Sequence, residues 1–297
     1  MKAYALCSLL FLKTLFIFSM DWPTENGMIV KNFGWNDQGR PTLGVSFVSE
    51  GPIGAADQAE LLFQHRMEST ASKITSPLGS WVALDHGGGI VSVYSRMAEN
   101  EGSMNVGSKN EGSRIPVTIE KNSPIGESGV SGWSEKKGVH FSLFDRKGRR
   151  WINPVMIVTP LPQSRLLQIL SVRLRNSEGR LLDLAPGITI SQDRYTVLVE
   201  AAEIYQRTDQ NPLAPFKIIC SINGSEIGGF NFEAFSARDG SLMVYRNGLI
   251  PVRQIYAPYP AFELGTVSFA RGQVSLEIIA QNAAGTSRNA VFRFTVE

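Results

Sequence analysis

Residues 125–141, IGESGVSGWSEKKGVHF, carry glycines at 126, 129 and 132 in front of an apolar run. Glycine takes backbone conformations closed to other residues, and it leaves room for a second backbone where a Cβ would collide. The stretch therefore turns tightly or is overlaid by a neighbouring segment, and residues 139–144 resume as a strand. The same grammar recurs along the chain. Residues 81–84 and 90–94 are apolar runs flanking Asp85-His86-Gly87-Gly88-Gly89, which predicts a β-hairpin. Twenty-eight glycines and 15 prolines punctuate short Val/Ile/Phe/Tyr runs, and long amphipathic periodicity is missing, so the expected fold class is all-β.

Two domains suit a chain of 297 residues, each long enough to bury a core. From Pro160 the pattern changes. Short strands at 167–175, 193–200, 216–223, 240–246, 254–256, 272–281 and 290–296 are separated by Asn-Gly, Asp-Gly and Ala-Gly turns, the pattern of a β-sandwich. Phe230, Phe232, Phe235, Tyr256, Tyr259 and Phe262 are expected in aromatic-rich loops that anchor against the core. The Pro-rich segment 154–162 supplies a linker. The boundaries are then 1–20, 21–156, 157–162 for the linker, and 163–297.

A net charge of +2 with 19% charged residues, and no basic run with interleaved aromatics, excludes a nucleic-acid partner. Cys7 and Cys220 provide neither a disulfide framework nor a Cys-rich zinc site, and Cys220 is expected to be a buried thiol. Lys2 followed by the apolar run to Ser19 is expected to be a secretory signal, with the mature chain starting near Asp21 and an uncleaved anchor as the alternative. Lys13 inside a run barely long enough to span a bilayer favours export over a stable membrane span.

Taken in order, Trp22-Pro23, Phe33-Gly34, Gly44, His86-Gly87-x-Gly89, Tyr94, Ile125-Gly126-x-Ser128-Gly129-x-Ser131-Gly132, His140-Phe141 and Asn153-Pro154 form a series. This series, over residues 22–156, resembles the LytM/lysostaphin-like zinc metalloendopeptidases that cut peptidoglycan cross-links. The final residues from Leu276 more loosely resemble the last hairpin of bacterial immunoglobulin-like or fibronectin-like modules. The resemblance implies an antiparallel LytM-like sheet domain followed by an immunoglobulin-like β-sandwich. It also implies an exported protein of the periplasm or cell envelope, with peptidoglycan or a wall hydrolase as partner.

The chemistry of that family needs two imidazoles and a carboxylate on zinc, plus further histidines to handle the attacking water. On the matched register the metal positions are Thr42, Ser46 and His140, and the catalytic positions are Arg96 and Gly138. Neutral hydroxyls are poor zinc ligands, glycine has no base, and Arg96 places a fixed cation where a metal cation would sit. No cofactor is expected on this reading, and zinc only if the ligands are rearranged, with His65 and His86 as the remaining imidazoles. The leading function is a non-catalytic module that binds peptidoglycan or regulates a wall hydrolase. The alternatives are an active zinc endopeptidase with rearranged ligands and a structural or adhesive envelope protein. Arg96, His140 and Tyr94 are the candidate groove residues, with Arg96 poised to bind a carboxylate.

Overall fold

The computed structural model describes residues 20–37, 39–66, 76–99, 117–158, 165–205, 211–246, 248–258 and 260–297. The expected signal segment up to Ser19, most of the expected linker (159–162) and most of the polar loop at 99–114 lie outside these residues, as does Tyr259. Among the described residues no helix is long and apolar enough to cross a membrane. The all-β expectation holds: apart from two 3₁₀ turns, the regular elements are strands.

In the first half, antiparallel strands lie side by side in the order Met28–Lys31, Val45–Val48, Gly138–Asp145, Ile90–Met97, Ser80–Asp85, Ala59–His65 and Thr118–Ile119. The expected hairpin is present, with Asp85 opposite Val91 and Leu84 opposite Ser92. Period-2 alternation positions the central strand: Val139, Phe141 and Leu143 enter one core with Ile53, Val82, Leu84, Tyr94 and Ile125, whereas His140 and Ser142 face the other side. Met20, the last residue of the expected leader, is only 2% exposed and belongs to the same core.

The glycines of the 125–141 stretch act as close-approach points. A Cβ on Gly129 would lie 2.2 Å from the Ala98 nitrogen, and one on Gly132 would lie 2.5 Å from that of Gly79. The second of these contacts brings the 128–132 segment against the turn at 76–79. Ser131 fixes the juncture, since its hydroxyl donates to Met97 O and accepts from Ser80 N.

The second half consists of two sheets across a second core. Leu181–Asp183, Leu166–Arg175, Arg194–Ile204 and Phe262–Ser268 form one sheet. Ser287–Val296, Gly272–Gln281, Lys217–Ile222 and Ser225–Arg238 run through the other. Leu167, Val197, Val199 and Leu264 from the first meet Ile218, Phe232, Leu276, Ile278 and Phe294 from the second. Phe230, Phe232 and Phe235, expected in loops, are buried along the 14-residue strand Ser225–Arg238. Residues 254–256, expected as a strand, instead enter at the end of the 3₁₀ turn Val252–Gln254, capped by Pro251, whose fixed φ starts the turn. Cys220 is fully buried, and burial pushes its thiol up to about 12, as befits an inert side chain.

The halves are joined through hydrogen-bonded backbone. Arg150–Ile152 pairs with the 145 end of the His140 strand and, on its other edge, with Ala234, Phe235 and Ser236. This creates a sheet of fifteen strands among the described residues. Phe33 leaves the first half to stack on Phe235, with ring centroids 4.6 Å apart. Asn32 exchanges two hydrogen bonds with the Ala214 backbone, and Asn153 donates to Phe232 O.

Candidate functional site

Strand pairing sets His140 opposite Ser46 on one side and opposite Ser95 on the other. Ser46 Oγ lies 2.8 Å from His140 Nδ1, and Arg96 Nη1 donates to Ser46 Oγ at 3.4 Å. A guanidinium can only donate, so Ser46 accepts from Arg96, and the direction of the Ser46–His140 hydrogen bond follows the imidazole tautomer.

Arg96 reaches this position through a backbone irregularity. Its φ is +67°, a left-handed conformation that is uncommon for a residue with a Cβ. The pairing of Ser80 with Met97 and of Val82 with Tyr94 leaves one extra residue on the Arg96 strand, a β-bulge. The bulge resets the alternation, so that Tyr94 and Met97 both enter the core while Arg96 turns into the cleft. Its N–H donates to Leu78 O at 2.8 Å.

The cleft has a volume of about 560 Å³. Ser46, Arg96, Lys31, Arg40, Lys136, Asp37, Glu135 and Trp133 are among its described lining residues. His140 sits one hydrogen bond behind Ser46. Burial, then the charges of Arg96 and Lys31, pushes its imidazole down to about 3, so the ring is neutral at physiological pH. The distance from Ser46 to His140 is that of a nucleophile and its base, but an imidazole held beside a fixed cation is a weak proton acceptor, and the pair is poorly suited to acyl transfer. Burial also lowers the Arg96 pKa, opposed by Asp37 and Glu135.

A testable consequence concerns acid. In the folded protein the His140 ring is expected not to titrate between about pH 5 and 8 by NMR. Its folded pKa lies below the unfolded value of 6.5, so it contributes stability above that pH that is lost as the pH falls towards 3. Arg96→Gln removes the second-largest cause, and the titration is expected to move upward without reaching 6.5, because burial persists. A wild-type ring titrating near 6.5 would contradict the geometry.

The remaining matched positions are dispersed or blocked. Thr42 is buried in the turn before the Ser46 strand, with its N–H donating to Trp35 O. Gly138 exchanges two backbone hydrogen bonds with Gly129, and a Cβ there would lie 1.8 Å from Phe47 O. Tyr94 is fully buried on the core face against Phe141, and its hydroxyl accepts from Ala56 N at 2.8 Å. His65 lies against Trp81, while His86 bonds Gln58 O and Ser92 Oγ on its hairpin turn. Among the described residues no three His, Cys, Asp or Glu side chains are grouped as a metal would need. One imidazole, a serine hydroxyl and an arginine do not fit a zinc ion. Lys31, Asp37, Trp133 and Glu135 went unnoticed in the sequence. Only the position of Trp133 and Glu135 inside the 125–141 stretch could have pointed to any of them.

A protein-family model matches residues 166–297. No curated protein matches the chain. Among solved structures the chain is similar to a variant of the catalytic domain of the prophage-encoded M23 protein EnpA from Enterococcus faecalis. That match has 17% identity over 43% of this chain and 87% of the other, with a TM-score of 0.33. It is also similar to the SpoIIQ–SpoIIIAH pore-forming complex, at 17% identity over 48% and 92% with a TM-score of 0.36. Lysostaphin, the antimicrobial peptidase from Staphylococcus simulans, is similar at 13% identity over 93% and 98%, with a TM-score of 0.34.

Proposed function

We propose that this chain is an exported, non-catalytic envelope module of LytM type. Residues 21–156 form the groove-bearing unit, 163–297 an immunoglobulin-like sandwich, and the groove binds peptidoglycan or a wall hydrolase through a carboxylate. The observation that carries the reading is Arg96. A strained backbone and a bulge aim a permanent cation at Ser46 and His140, where the resembled family needs metal ligands and a base. Strain kept at one side chain in a cleft is characteristic of functional sites. Guanidinium and carboxylate are matched in shape and charge.

The test combines elemental analysis for zinc with a pull-down on purified peptidoglycan, using the chain from Met20 onward and an Arg96→Ala, His140→Ala variant. Metal-free protein that binds the wall is expected, with the variant weaker by about tenfold or more, the effect of losing a charged hydrogen bond. One zinc per chain, absent from the variant, would reverse the reading and make the protein a candidate hydrolase.

A further inference from the structure

Within that groove, on whose ligand-binding role this step rests, we propose that the ligand is an acidic saccharide: a pyranose ring stacks on Trp133 while its carboxylate pairs with Arg96. Among the described residues Trp133 is the most exposed of the large apolar side chains, at 67%, and it stands at the wall of a cleft that is otherwise largely polar. Its backbone is fixed. The Trp133 N–H donates to Pro77 O, and Gly132 packs on Gly79. The Arg96 N–H donates to Leu78 O, the next carbonyl along. The backbones of Trp133 and Arg96 are therefore anchored to consecutive carbonyls of one turn, so the points from which the indole and guanidinium project are held together without loop closure.

The rest of the cleft indicates what such a pair would hold. Its described lining has four cationic side chains, Lys31, Arg40, Arg96 and Lys136, against two carboxylates, Asp37 and Glu135, so it favours an anion. Ser134 and Asn211 add neutral polar groups, and the Lys31–Asp37 ion pair at 2.9 Å holds two of the charges in place. A wall of mixed donors and acceptors suits hydroxyls, and a single rigid aromatic suits the flat C–H face of a sugar. A peptide would instead be recognised along a sheet edge or by a series of apolar pockets. The volume of about 560 Å³ lies in the range of small-ligand sites.

Calorimetric titration of the intact chain with three defined probes tests this. The probes are a glucuronic-acid-containing tetrasaccharide, an uncharged N-acetylglucosamine tetramer and an acetylated alanyl-glutamate dipeptide. The acidic saccharide is expected to bind about tenfold or more tighter than the uncharged one. Trp133→Ala should weaken the acidic saccharide by about tenfold while changing the dipeptide less than about twofold, with Trp133→Phe recovering most of the loss. Arg96→Gln should weaken both. Dipeptide binding that persists with no acidic-saccharide binding, or saccharide binding indifferent to Trp133→Ala, overturns the inference and leaves the carboxylate groove standing. Failure of all three probes together with failure of the wall pull-down removes both. Circular dichroism of the Trp133 variants confirms folding, which an exposed side chain should not disturb.

Discussion

Gly138→Ala is expected to lower the melting temperature by about 6–12 °C, corresponding to a loss of about 3 kcal/mol. The methyl would sit 1.8 Å from Phe47 O, so the Ser46 strand and the His140 strand must separate before it can be accommodated. Backbone, unlike a side-chain tip, has no alternative rotamer to adopt. The control is Gly54→Ala, where the added Cβ would lie 3.4 Å from Asn122 O in ordinary contact; a change within about 1 kcal/mol is expected. The same geometry bears on catalysis. A Gly138→His variant should gain no hydrolase activity, since its imidazole cannot be placed without opening the sheet beneath Ser46. Thermal denaturation by circular dichroism decides the point, and equal melting of Gly138→Ala and wild type would refute the strand packing described above.

Glu203→Gln is expected to stabilise the protein by about 1–3 kcal/mol at pH 8 and to flatten its stability between about pH 4.5 and 7. Glu203 lies near the end of the strand Arg194–Ile204 and lines a cavity of about 330 Å³ with Trp22, Phe33 and Arg165. Burial pushes its carboxyl up to about 7, against the opposing charge of Arg165 and a hydrogen bond from Asn282. The folded carboxyl thus binds its proton more tightly than the unfolded one. Below about pH 4.5 both states are protonated and nothing is lost. As the pH rises to 7 the unfolded state ionises first, and stability falls. Above 7 the deficit is constant. Urea melts of wild type and variant at pH 4.5, 6 and 8 measure the effect, and parallel pH dependences would show that Glu203 is not its source.

The hairpin around Asp85 and the strand Gly272–Gln281 were legible because apolar alternation and turn chemistry agree there. Ser225–Arg238 was not anticipated, and its Phe230, Phe232 and Phe235 were expected in loops; it contains Gly228 and Gly229, residues that weaken a strand signal. In the fold they are close-approach points within a strand: a Cβ on Gly228 would meet Leu264 O at 1.9 Å, and the pairing with Lys217–Ile222 shifts register nearby. In the site, the neighbourhood of Ser46, Arg96 and His140 could be anticipated from the matched register. Tyr94 was grouped with them through the motif series that carries the resemblance, and on a regular strand residues two apart would share a face. The bulge at Arg96 breaks that rule, and no local signal announces an arginine with positive φ. The exposure of Trp133 is likewise a tertiary fact, fixed by glycine contacts between segments fifty residues apart.

The strand Arg150–Ile152 has a partner on each edge, one from either half of the molecule. A cut near residue 163 would therefore leave an open β-edge carrying Trp151 and Ile152, with Phe33 stripped of its stacking partner. Such edges recruit other chains, so the severed amino-terminal half is expected to self-associate rather than behave as a smaller version of the whole. The two halves are better separated by point substitution than by scission, and the shortest piece expected to stay monodisperse retains both.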